Sequence, residues 1–182
     1  MEYFSMNETA IGIHQLLKSL GQRLVLVESC TAGWVAAQFG VIPRVSESLC
    51  GSFVVYRTAS KHHWLGIKQS ILDDPAIGPV SERVTQELAQ AALTQTVEAT
   101  IAVAVTGHLG PNSPRPNDGT IFVSIARRLS TTTLRTYQTT TKKINLKSPE
   151  PVNTFDYQGR EARQREAGCC VLDLLLQELQ EA

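Results

Sequence analysis

"LVLVESCTAGW", residues 24–34, begins as a buried strand and ends as the start of a helix. Leu24 to Val27 are four consecutive apolar residues, the pattern of a strand covered on both faces. Glu28, Ser29, Cys30 and Thr31 then set a carboxylate, a hydroxyl, a thiol and a second hydroxyl side by side, followed by Ala32, Gly33 and Trp34. Two physical readings are open. Ser29 and Thr31 are residue types that cap a helix by accepting from its free amide groups, with Ala32 and Gly33 letting the helix sit close to the sheet. Equally, the carboxyl end of a strand is where open α/β sheets bind ligands and present reactive groups.

Outward from this stretch, helical and strand patterns alternate. "NETAIGIHQLLKSLG" (7–21) carries Ile13, Leu16, Leu17 and Leu20 on one face, with Asn7 as N-cap and Gly21 as stop. "GSFVVY" (51–56) is a second strand, ending at Tyr56, and "RTASKHHWLGI" (57–67) a turn into a short helix. Ser81 caps "ERVTQELAQAALTQTV" (82–97), whose Val84, Leu88, Ala91 and Ala92 share a face. "TIAVAV" (100–105) is apolar throughout, "GTIFVSIA" (119–126) follows, and "TTLRTYQTT" (132–140) alternates as an edge or antiparallel strand does. "REARQREAGCCVLDLLLQELQ" (160–180) closes the chain as a helix. These elements predict an α/β fold, a three-layer α/β/α sandwich around a mostly parallel or mixed sheet. The expectation is a single domain over residues 1–182 with a loop excursion at about 142–157, where Pro149 and Pro151 interrupt a stretch without periodicity.

Bulk properties narrow the function. Lys plus Arg and Asp plus Glu balance at 17 each, so no global field recruits nucleic acid or an anionic membrane. Apolar runs such as "VLDLLL" fall far short of the ~20 residues that span a bilayer, and "MEYFSMNETA" lacks the basic-then-apolar pattern of a leader. Cys30, Cys50, Cys169 and Cys170 have no metal-ligand spacing. A soluble cytoplasmic protein with reduced thiols, no metal and no cofactor is expected.

A serine nucleophile needs an activator, because its hydroxyl is protonated at neutral pH. His14, His62, His63 and His108 have no evident acid partner, and there is no G-x-S-x-G elbow. Lys61, five residues after Tyr56, is the stronger candidate: if the first two strands are neighbours, Ser29, Tyr56 and Lys61 converge on one rim of the sheet. Lysine acts as a base only when desolvation or a neighbouring positive charge lowers its pKa; a solvated helix lysine is the plain alternative. Thr106, Gly107 and Gly110 in "TGHLGP", with Gly119 and Thr120 in "DGT", could offer amide groups to a phosphate or could simply turn the chain.

Taken together, "VESCTAGWVAAQFG", "GSFVVYRTASKHHWLGI", "GPVSERVTQELAQAA" and "AVAVTGHLGP…GT", in that order, resemble the CinA C-terminal domain family, whose enzymatic members are nicotinamide-mononucleotide amidohydrolases. The family pattern runs E-S-C-T-G-G, G-G-x-x-x-Y-x-x-x-x-K, G-A-V-S, S-G-x-A-G-P and K-P-V-G-T. The resemblance implies a Ser–Lys pair at Ser29 and Lys61 assisted by Tyr56, and an arginine from a G-D-R motif, for which "YQGREA" offers Arg160. It also implies a small nucleotide substrate and a homodimer. On this reading Lys61 takes the Ser29 proton, and amides at the helix start near Cys30 and Thr31 stabilise the oxyanion. Departures cluster around the ligand: Ala32 and Ser52 replace glycines, "TGHLGP" replaces S-G-x-A-G-P, and "RPNDGT" replaces K-P-V-G-T. They leave open a Ser–Lys hydrolase of another amide, or a non-catalytic binding or regulatory relative.

Overall fold

The structure is a computed structural model that describes residues 3–129 and 136–181. Helix α1 (Tyr3–Ser19) leads into β1 (Leu24–Glu28), α2 (Trp34–Gly40), a single 3₁₀ turn at Val45–Glu47 and β2 (Leu49–Val54). Helices α3 (Thr58–Leu65), α4 (Gln69–Leu72) and α5 (Glu82–Gln95) precede β3 (Ile101–Gly107), β4 (Thr120–Arg128) and β5 (Tyr137–Asn145), and α6 (Tyr157–Gln180) follows. The strands form one mixed sheet in the order β2-β1-β3-β4-β5. β1 is parallel to β2 and β3, whereas β4 and β5 join antiparallel.

The alternation of β1 creates the layers. Leu24 and Leu26 point into a core built with α1, α2 and α6, where Ile13, Phe39 and Leu172 are buried. Val25 and Val27 point into a second core with α3, α4 and α5, where Leu65, Ile71 and Leu88 are buried. A strand with neighbours on both faces must be apolar at every position, which is why "LVLV" shows no alternation. The result is the expected three-layer sandwich. Ser81 accepts from the Val84 amide (3.3 Å) at the start of α5, the cap read from sequence. None of the described helices is long and apolar enough to cross a membrane.

Several boundaries differ from expectation. α1 starts at Tyr3, so Asn7 lies inside the helix and is not its cap, and Leu20 is exposed beyond the helix end. Gly21 adopts φ 62°, the left-handed turn that glycine tolerates. β2 ends at Val54, leaving Tyr56 two residues past the strand. β5 extends to Asn145, so residues 142–145 of the expected loop excursion are strand. Lysines obscure that end of β5 because an edge strand exposes alternate side chains and tolerates charge there. Residues 132–135 of the predicted edge strand lie outside the described residues.

Candidate active site

Because β2, β1 and β3 run parallel and adjacent, their carboxyl ends open on one rim. Ser29 follows the last residue of β1, and its amide donates to Val105 O (3.1 Å), fixing it against β3. Across β2, the short helix α3 brings Lys61 back over the same rim. Lys61 Nζ donates to Ser29 Oγ at 3.0 Å and to Val55 O at 3.2 Å. Lys61 is 2% exposed and Ser29 6%. No carboxylate among the described residues pairs with Lys61, and desolvation pushes the lysine down to about 8, only partly opposed by the Cys30 thiol. The lysine is therefore held by geometry, and its proton is labile near neutral pH.

Cys30, next to the serine, is a different kind of group. Burial pushes its thiol up to about 12, so it stays protonated and acts as pocket wall. Its sulfur packs toward Gly107, where a β-carbon would come within 3.1 Å of Cys30 Sγ and 2.5 Å of Ile121 Cγ2. Gly107 thus serves close packing within β3.

The turn from Ser29 to α2 bends through two left-handed residues, Ala32 (φ 53°) and Gly33 (φ 95°). The cap of α2 is not Thr31, as its sequence position suggested. Glu28 reaches forward from β1: Oε2 accepts from the Gly33 and Val35 amides (2.9 and 3.0 Å), and Oε1 accepts from the Ala36 amide (2.9 Å) and Ser52 Oγ (3.2 Å). Thr31 Oγ1 is buried and has no hydrogen-bond partner among the described residues. The Thr31 amide likewise has no acceptor among the described residues, and the Cys30 amide has only the sulfur of its own side chain. Backbone amides that no oxygen occupies, beside a hydroxyl, are the elements from which an oxyanion hole can be built.

Tyr56, expected to assist the Ser29–Lys61 pair, makes no hydrogen bond to Lys61 among the described residues; Val55 O accepts from the amine. The Tyr56 hydroxyl accepts from Arg160 Nη2 at 2.7 Å, and Arg160 Nη1 donates to Gly110 O. Cys30, Ala32, Tyr56, Leu109, Tyr157, Arg160, Glu161 and Gln164 line an open cavity of about 190 Å³. Arg160 has no carboxylate partner among the described residues, leaving a cation at the mouth. A larger groove of about 600 Å³ lies elsewhere, between β4, β5 and the end of α6, lined by Ile125, Thr140 and Glu178 among others, and includes none of Ser29, Tyr56 or Lys61.

The expected phosphate cradle is not presented. Thr106 is fully buried and bonds Thr85 Oγ1 (2.8 Å) on the α5 side. The Gly110 amide donates to Ser113 Oγ (2.9 Å), the Gly119 amide to His108 O (3.0 Å) and the Thr120 amide to Asn117 O (3.0 Å). Thr120 Oγ1 donates to Asn145 Oδ1 at 3.1 Å. These groups build the loop; Gly110 and Gly119 adopt left-handed φ and pack against the Arg163 guanidinium.

A family model described as the CinA C-terminal domain matches residues 6–151. The chain belongs to this family. The CinA-like protein of Chlorobium luteolum is 37% identical over 127 residues, covering 69% of this chain and 28% of that protein. The CinA-like protein of Mycobacterium tuberculosis is 34% identical over 134 residues, 71% of this chain and 30% of that one. The CinA domain described here thus spans under a third of the length of those relatives. A CinA superfamily protein from Klebsiella pneumoniae shares the fold at a TM-score of 0.80 and 22% identity, over 97% of this chain and 99% of that one. The competence/damage inducible protein CihA from Agrobacterium tumefaciens aligns at a TM-score of 0.78 and 25% identity, over 96% and 95%.

In this CinA domain α6, beyond the residues that the family model matches, supplies ties that sequence reasoning missed. Gln164 Nε2 donates to Thr31 O (2.7 Å), and Glu166 accepts from the Lys147 and Ser148 amides (2.7 and 2.8 Å). Arg160, Arg163 and Gln164 fall three and four residues apart on one face of α6, but nothing in that spacing says what the face meets.

Proposed function

We propose that the chain is an amidohydrolase that converts nicotinamide mononucleotide and water to nicotinate mononucleotide and ammonia through Ser29 and Lys61. The observation that carries this is the buried Lys61 amine 3.0 Å from Ser29 Oγ, with its pKa pushed down to about 8. Neutral Lys61 takes the serine proton as Oγ attacks the carboxamide carbon, with the Cys30 and Thr31 amides facing the oxyanion. The tetrahedral intermediate collapses with cleavage of the C–N bond, and Lys61 returns the proton to the departing ammonia. Water then attacks the acyl-serine, Lys61 accepts a proton from it, and Ser29 leaves as a regenerated hydroxyl. Arg160 is the group suited to the phosphate, with Tyr56 holding its fork across the cavity mouth. We place this activity in the cytoplasm.

A second substrate is favoured by one observation: the loop amides expected to hold phosphate are bonded within the loop. The same pair would then cleave another small amide. Ammonia release from nicotinamide mononucleotide by the purified protein separates the two. Wild type should release it steadily, and Ser29→Ala and Lys61→Ala should lose about 10²–10⁴-fold or more. Release equal to that of Ser29→Ala would remove this substrate; a fluorophosphonate that still labels Ser29 would then retain the nucleophile.

A further inference from the structure

We infer that Glu28 is a positioning residue for the reaction at Ser29: its carboxylate ties down the first amides of α2 and thereby sets the 29–33 turn so that the Cys30 and Thr31 amides face the reacting atom. The inference rests on the Ser29–Lys61 reading above. Glu28 is 1% exposed, one residue before the nucleophile. A carboxylate this buried is costly unless satisfied by hydrogen bonds, and here four donors converge on it. Their distribution matters. Gly33, Val35 and Ala36 give their amides to Glu28, and Trp34 gives its amide to Thr31 O (3.0 Å). The start of α2 is therefore closed to a substrate, and its partial positive charge is answered by the carboxylate. The Cys30 and Thr31 amides, to which no oxygen among the described residues is bonded, are what the turn leaves for an oxyanion.

The link between cap and turn is steric. Ala32 is held at φ 53°, in the left-handed region that an L residue adopts only under strain. Two fixed points hold the strained link: the Ser29 amide on Val105 O behind it, and the Gly33 amide on Glu28 Oε2 ahead of it. Ser52 Oγ on β2 braces the same carboxylate, connecting the turn to the strand that leads to Lys61. Glutamine has the same shape but offers one acceptor oxygen and an NH₂ that would face amide donors. It can fill the site without holding the turn.

The test is the rate at which Ser29 is phosphonylated by a fluorophosphonate. In that step Ser29 Oγ forms a bond to phosphorus, fluoride departs, the serine proton passes to Lys61, and the phosphoryl oxygen occupies the oxyanion position. Glu28→Gln should label ten- to a hundredfold more slowly per folded molecule. With a turned-over amide substrate, kcat should fall by a similar factor while KM changes little. Ser52→Ala, which removes one brace and no backbone contact, should slow labelling two- to fivefold; it decides the matter if Glu28→Gln does not fold. A cap with no part in positioning would lower thermal stability and leave the labelling rate of folded protein unchanged, and wild-type rates in folded variants overturn the inference. Absence of labelling in the wild type would instead remove the Ser29 reading, and this inference with it.

Discussion

Arg163 and Asp118 meet side on, with Nη1 2.8 Å from Oδ1 and Nη2 2.7 Å from Oδ2, and Arg163 Nε donates to Ser148 O at 3.2 Å. One guanidinium thereby ties α6 to the loop between β3 and β4, which gives Leu109 to the cavity, and to the segment that follows β5. Arg163 is 4% exposed, so the pair is shielded and its fork geometry is of the strong, two-pronged kind. Arg163→Met should destabilise the protein by about 2 kcal/mol, read as a lower urea midpoint. The Asp118 carboxyl is held below its usual range chiefly by the Arg163 hydrogen bonds. A depressed carboxylate contributes stability above its unfolded pKa of about 3.9 and loses it as pH falls through the lower folded value. The gap between wild type and Arg163→Met should therefore narrow below about pH 4. A constant gap from pH 7 to 3 would contradict this assignment.

Lys61 predicts the shape of the pH–rate curve. Only the neutral amine accepts the Ser29 proton, and the amine is held down to about 8. kcat/KM should rise with pH and level off above an inflection near 8, because the neutral fraction grows until the lysine is fully deprotonated. A profile already flat between pH 6 and 9 would show that another group is the base.

The same burial makes Lys61 a liability for stability. A base whose folded pKa is depressed destabilises the fold at low pH, and stability recovers between the folded value of about 8 and the unfolded value of 10.5. At pH 7 the deficit is roughly 3 kcal/mol. Lys61→Met should be inactive and yet melt at a higher temperature at pH 7, with its advantage shrinking by pH 10. Calorimetry at the two pH values checks this; a lower melting temperature at pH 7 would mean that the two lysine hydrogen bonds outweigh the desolvation.

Cys30 sits beside the nucleophile but should behave as inert wall. With its thiol pushed up to about 12 and its side chain buried, iodoacetamide at pH 8 should modify the partly exposed Cys50, Cys169 and Cys170 first. Peptide mass spectrometry should find Cys30 unmodified while activity persists. Early loss of activity in step with Cys30 alkylation would give the thiol a larger part.

Much of this was legible before any coordinates. A fully apolar strand such as β1 and a capped amphipathic helix such as α5 are set by local periodicity and by one side chain, Ser81. Ser29 and Lys61 can be paired from sequence only on the condition that the first two strands are neighbours, and through the family resemblance; the parallel β1–β2 pairing meets that condition. Other features depend on partners far along the chain. Thr106 faces α5 and not the rim because of its register in β3, which a glycine-rich motif does not reveal. Glu28 looked unassigned, since a cap reaching forward from the preceding strand lies outside the usual N-cap position. The ties made by Arg160, Arg163 and Gln164 span from 15 to 133 residues of sequence, and no local pattern encodes them.

That separation in sequence has a consequence for how the site is assembled. Glu28, Ser29, Ser52 and Lys61 fall between residues 28 and 61, on β1, directly after it, on β2 and on the short helix α3. Arg160 and Gln164 arrive only with α6, the last element described. A chain without α6 would have neither Arg160 and Gln164 to wall one side of the cavity nor Leu172 and Leu175 to cover the face of β1 that carries Leu24 and Leu26. The Ser29–Lys61 contact and one wall of the cavity beside it are thus contributed by segments about a hundred residues apart, and only the docking of α6 joins them.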